Sequence, residues 1–158
     1  MKAATAKQIR DELKDRTESE LREIVLRLSR FKKENKELLS YLLFEAHNEE
    51  DYIESVKSHI DSKLLEINTS NVYYAKKAIR RILKETKKFI RYSSNRETEV
   101  ALLIHFCKSL QESHPKLMNN KVVRDIVKRQ IVLIKVRIST LHEDLQYDYE
   151  RELNDVDY

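Results

Sequence analysis

"YYAKKAIRRILKETKKFIRY", residues 73–92, decides how this chain folds. Eight of its twenty residues are Lys or Arg, and a single one, Glu85, is acidic. At about 100° per residue, Ala75, Ala78, Ile79, Ile82, Leu83, Thr86, Phe89 and Ile90 share one arc roughly 140° wide. Lys76, Lys77, Arg80, Arg81, Lys84, Lys87, Lys88 and Arg91 share a second arc of about equal width, and no cation enters the apolar one. A strand of this sequence would scatter both classes over both faces, because its side chains alternate. A helix with one buried and one wet side separates them cleanly.

Outward from that helix the spacing stays helical in both directions. A short helix is expected over residues 3–14. "TESE" then forms a capping box, with Thr17 as N-cap and Glu20 reaching back at N3. Leu21, Ile24, Val25, Leu28 and Phe31 form the inner stripe of the helix it opens. Leu38, Leu39, Leu42 and Leu43 mark a third helix. Ile53, Val56, Ile60, Leu64 and Ile67 mark a fourth after "HNEED" (47–51), whose acids suit the positive end of the helix dipole. "NTSN" (68–71) and "SSNRE" (93–97) bracket the cationic helix, the latter with Ser94 and Glu97 at capping-box spacing. Val100, Leu103, Ile104, Cys107 and Leu110 define a sixth helix, closed by "SHP". A seventh is expected from Asn119 or Asn120 past Leu145. Its middle is apolar nearly all round, since Val132 and Val136 fall opposite Val123, Ile126 and Val127, which predicts either a central place in the packing or cover by a partner.

Composition supports the same fold class. The chain of 158 residues has no Gly and one Pro, Pro115. Average usage would supply about eleven glycines, and strand-rich folds use them at hairpins and bulges. Helices joined by short turns manage without, and the chain's asparagines are expected to fill any left-handed positions. The expectation is an all-α protein of six to seven antiparallel helices in a single domain over residues 1–145. Either a bundle or a short α-solenoid of helical hairpins fits. Residues 146–158 read as an acidic C-terminal tail.

The net charge of +4 conceals a strong segregation. Residues 1–70 carry 13 basic and 15 acidic groups, residues 71–137 carry 17 and 5, and residues 138–158 carry 1 and 7. Such asymmetry speaks to partners rather than to fold. Like charges recur at i,i+4 along the cationic arc, as Lys77/Arg81, Arg80/Lys84, Lys84/Lys88 and Lys87/Arg91. Each such pair costs a few tenths of a kcal/mol, roughly 1–2 kcal/mol over the whole face unless anions neutralise it. The expected function is a non-enzymatic binding module whose ridge (73–91) contacts nucleic-acid phosphates without sequence preference. Lys77, Arg80, Arg81, Lys84, Lys88 and Arg91 would meet phosphates and Tyr73 would stack on bases, with Arg124, Lys128 and Arg129 as secondary contacts. The alternative is a protein–protein or self-association scaffold, its ridge neutralised by an acidic partner or by the tail "HEDLQYDYERELNDVDY" (142–158).

Much chemistry is excluded. Without Gly there is no P-loop, dinucleotide fingerprint, nucleophile elbow or standard EF-hand loop. His47, His59, His105, His114 and His142 form no HExxH and no Glu-x-x-His pair, so no metal site is expected. His105 and Cys107, two apart on one helix, point about 200° away from each other and cannot act as base and nucleophile. No cofactor and no catalytic residue is expected. Cys107 admits no intramolecular disulfide, which with the absence of a signal-like apolar segment predicts a cytoplasmic protein. No stretch approaches the ~18 apolar residues of a transmembrane span.

Overall fold

Asparagine starts half of the α-helices. In the computed structural model, which describes residues 2–156, the side chains of Asn48, Asn71, Asn95 and Asn120 accept hydrogen bonds from backbone N–H groups at the heads of four helices. These are groups that a helix cannot satisfy internally. The expectation that asparagines would fill left-handed positions is therefore corrected. Among the described residues the one positive φ belongs to Ser94, at 54°. Ser94 closes the cationic helix, and Asn95, not Ser94, caps the next one.

The described chain is helical apart from its turns and contains eight α-helices. They are α1 (Ala6–Lys14), α2 (Glu18–Phe31), α3 (Lys33–Ser40), α4 (Glu49–Leu65), α5 (Val72–Ser93), α6 (Arg96–Ser113), α7 (Lys121–Ile138) and α8 (Glu143–Asn154). A π-helical turn occupies Tyr41–Glu45, and a 3-10 turn occupies Pro115–Asn119. The predicted long seventh helix is two. The chain turns after Ile138, and the His142 side chain accepts from the Asp144 N–H to start α8.

The chain groups into two compact units, residues 1–44 and 45–158. In the first unit the Thr17/Glu20 capping box forms as the sequence predicts, and Thr5 and Gln8 make a second one that heads α1. Helices α2 and α3 pack together. One residue, Lys32, separates them in extended conformation. None of α1, α2 and α3 holds a buried residue. The stripe expected to face inward is exposed instead, Leu28 at 55% and Phe31 at 76%.

The second unit has the core. Helices α4, α5 and α6 pack pairwise, and α6 also meets α7, α8 and the 3-10 turn. Its buried residues occupy every side of the helix: Val100, Ala101, Leu102, Leu103, Ile104, Phe106, Cys107 and Leu110. The central place expected of α7 thus belongs to α6, while Val132 and Val136 of α7 stay 64% and 56% exposed. Helix α4 faces the core with Tyr52, Val56, Ile60 and Leu64, one per turn. Tyr52 donates its hydroxyl hydrogen to the Phe89 carbonyl at 2.9 Å, which ties α4 to the end of α5. His114, just past α6, lies with Nε2 2.7 Å from the Leu64 carbonyl; since a carbonyl only accepts, that nitrogen is the protonated one.

The acidic end is a docked helix. Leu153 and Val156 are buried, α8 packs on α6 and α7, and Tyr149 donates to Glu97 at 3.1 Å. Burial, with the Glu97 carboxylate beside it, raises the Tyr149 phenol above its ordinary range.

Candidate nucleic-acid interface

Helix α5 runs 22 residues without interruption, about 33 Å at 1.5 Å per residue. Asn71 caps its start by accepting from the Tyr73 N–H at 2.9 Å. Ala75, Ile79, Ile82, Thr86 and Ile90 are buried, and these five positions fix the helix by its apolar edge against α4 and α6. Thr86 keeps its hydroxyl satisfied in the core by donating to the Ile82 carbonyl at 3.0 Å. With that edge held, the cations are turned to solvent. Lys77, Arg80, Arg81, Lys84, Lys87 and Arg91 are all exposed, and Lys76 and Lys88 are half-buried.

The ridge has little local counter-charge. Among the described residues, none of Lys76, Lys77, Arg80, Arg81, Lys84, Lys87 and Arg91 forms an ion pair with a carboxylate. Glu85, the one acid of the helix, lies 3.4 Å from His59 Nε2 on α4 instead. Glu66 is the acid that feels the ridge: Lys63, at 2.9 Å, holds its carboxyl below the usual range, and Arg81 adds a weaker pull. The Lys88 ammonium sits over the rings of Phe89 and Tyr92, 5.3 and 5.9 Å from their centroids. Arg80, Leu83, Lys84, Lys87 and Arg91 line an open groove of about 480 Å³. An extended polyanion laid along it would meet four cations over an apolar floor.

At the head of the ridge Tyr73 and Tyr74 are 65% and 62% exposed. Their rings meet edge to face, with centroids 5.5 Å apart. Exposed tyrosine faces next to a basic groove are the usual platform for unpaired bases.

The ten residues singled out from sequence fall into two groups. Tyr73, Lys77, Arg80, Arg81, Lys84, Lys88 and Arg91 come together on α5. Arg124, Lys128 and Arg129 lie on α7, which packs on α6, α8 and the 3-10 turn. Arg124 already has partners, since it donates from Nη1 to the carbonyls of Met118 and Asn119, both at 3.0 Å. It fastens the 3-10 turn to α7. Lys87 belongs to the groove and was not among the named contacts; its place in the cationic arc is the signal that would have added it.

Among the described residues, no acid of the C-terminal end forms an ion pair with Lys76, Lys77, Arg80, Arg81, Lys84, Lys87 or Arg91. Its ion pair reaches α6, where Asp155 meets Lys108 at 3.3 Å. Asp157 and Tyr158, the last two residues of the expected tail, lie outside the described residues.

One polar cluster resembles catalytic chemistry without its geometry. His105 Nε2 lies 2.8 Å from Asp61 Oδ1, and the Ser109 hydroxyl donates to the same oxygen. The serine donates to the carboxylate and not to the imidazole, so the three groups do not line up as a serine–histidine–carboxylate relay. The cluster clamps α4 to α6. Cys107 is fully buried, and burial pushes its thiol up to about 12, well away from a reactive thiolate. Among the described residues no His, Cys, Asp and Glu side chains gather in a metal-binding group, and no helix is long and apolar enough to cross a membrane.

The chain matches no known protein family, no curated protein and no solved structure.

Proposed function

We propose that the exposed face of α5 is a phosphate-contacting surface and that the protein is a non-enzymatic, sequence-independent nucleic-acid-binding module. The observation that supports this reading is that Lys76, Lys77, Arg80, Arg81, Lys84, Lys87 and Arg91, on one continuous helix, form no ion pair with a carboxylate among the described residues. A solvated helix face ordinarily mixes signs, because i,i+4 pairs of opposite charge add support and like pairs subtract it. From Lys77 to Arg91 the rise is about 21 Å, close to the length of six phosphates along one strand of a duplex at roughly 3.4 Å each. Phosphate contacts position a protein but do not read bases, so little sequence preference is expected. Tyr73 and Tyr74 add a stacking platform that favours single strands.

The test is fluorescence anisotropy of labelled single- and double-stranded oligonucleotides over a range of salt. Four to six phosphate contacts correspond to a slope of log K against log salt of about −3 to −5. Arg80→Glu with Lys84→Glu abolishes binding while the far-ultraviolet circular dichroism stays helical. Unchanged affinity in that double variant refutes the proposal. A chain that binds neither probe at low salt, yet is retained by acidic polypeptides, belongs to the alternative reading of a protein-binding scaffold.

A further inference from the structure

We propose that two copies of this chain pair through the apolar face of α2, with the two helices antiparallel. The inference concerns the first unit and stands independently of the nucleic-acid reading.

The first unit buries one of its large apolar side chains, Tyr41, and leaves most of the others at the surface. Eleven of its large apolar side chains, from Ile9 to Phe44, are at least 36% exposed. In α4, a helix with the same kind of stripe, Val56, Ile60 and Leu64 are 4% exposed or less. A stripe of this kind on a helix signals a surface that covers it. At roughly 80 Å² apiece, the eleven side chains present on the order of 900 Å². A stable complex of standard size buries about 800 Å² on each partner. The first unit as a whole therefore exposes about as much apolar surface as one side of a stable dimer needs, and the α2 face supplies Ile24, Val25, Leu28 and Phe31 of the eleven.

The charges of α2 say which partner fits. At about 100° per residue, Leu21, Ile24, Val25, Leu28 and Phe31 occupy an arc roughly 120° wide. Glu20, Glu23, Arg27 and Arg30 occupy the flank beside it. Along that flank the order is acid, acid, base, base. Among the described residues, Glu23, Arg27 and Arg30 form no ion pair, Glu20 meets Arg16 at 3.6 Å and accepts from the Thr17 N–H, and Arg22 on the other side is held by Glu18 at 2.6 Å. In a two-fold antiparallel pair each flank faces the same flank of the other copy, run in reverse. With the axis at Val25, Glu23 comes opposite Arg27 and Glu20 opposite Arg30, each twice, while Leu21 and Leu28 fall about one residue out of direct register. The flank is thus complementary to itself in reverse, which is what a two-fold interface requires. Arg16, Glu20, Glu23, Ile24 and Arg27 also line a shallow groove of about 240 Å³ that can receive a neighbouring helix.

Sedimentation velocity on the full chain, over concentrations spanning about three decades around micromolar, tests the pairing. The expected species is a dimer at the upper end. Arg27→Glu sets acid against acid across the axis, and Glu23→Arg sets base against base. Each alone weakens dimerisation on the order of tenfold or more, and an equimolar mixture of the two restores it, because unlike charges then meet. Leu28→Lys abolishes the dimer; Leu28 is exposed in the single chain, so its circular dichroism is unchanged. A chain that stays monomeric throughout overturns the proposal. So does a dimer indifferent to all three substitutions, or a charge-reversed pair that fails to recover on mixing.

Discussion

Lys84→Glu should make the protein more stable and bind nucleic acid less well, and the pairing of those two signs is what a charged working surface predicts. Lys84 has four like-charged helical neighbours, Arg80 and Arg81 behind it and Lys87 and Lys88 ahead. Each repulsive pair costs a few tenths of a kcal/mol, and each attractive pair returns a similar amount. Reversing one charge in the middle of the row therefore swings each of four pairs by about 0.5 kcal/mol, or roughly 2 kcal/mol in all at low ionic strength. The side chain is exposed, so screening near physiological salt cuts this to about half. For a chain of this length that corresponds to a rise in Tm of about 4–8 °C at low salt and about half as much near 0.15 M. Thermal unfolding followed at 222 nm, beside anisotropy on the same samples, measures both quantities. A Tm that falls or does not move at low salt, or a gain that does not shrink with added salt, refutes the claim that the ridge lacks local counter-charge.

Phe106→Ala should be the costliest substitution in the second unit. The ring is fully buried on α6, and its removal costs about 3–5 kcal/mol by the shift of the urea midpoint. Tyr52→Phe keeps the buried ring and loses the hydrogen bond to the Phe89 carbonyl, for a loss of about 1 kcal/mol by the same measurement. Cys107 sets a pH dependence. Its thiol ionises near 9 when exposed and near 12 in the fold, so the native state holds the proton more tightly. Its contribution to stability is present below pH 9 and is lost as pH rises toward 12. Urea unfolding between about pH 8 and 10 should show stability falling with pH, and Cys107→Ala should flatten that decline.

Much of the local structure was legible in the residues. The Thr17/Glu20 capping box, the apolar and cationic arcs of α5 and the end of α6 near "SHP" depend on groups within a turn or two of one another. An i,i+3 hydrogen bond or a 3.6-residue period is written directly into the chain. The cationic face of α5 was readable for the same reason: no neighbour is needed to place Arg80 and Lys84 on one side of a helix.

What tertiary structure alone decided is which apolar faces are covered. The α2 stripe from Leu21 to Phe31 and the α4 stripe from Val56 to Leu64 look alike as patterns, yet the first is exposed and the second is in the core. The all-round apolar middle of α7 suggested a central helix, and α6 took that place by meeting α4, α5, α7 and α8 together. An acidic segment read as a tail docks through Leu153, Val156 and the Tyr149 hydroxyl. Periodicity says that a helix has an apolar side; what lies against that side is set by residues far away in sequence, and hydrophobic burial, being non-directional, leaves no local mark of its partner.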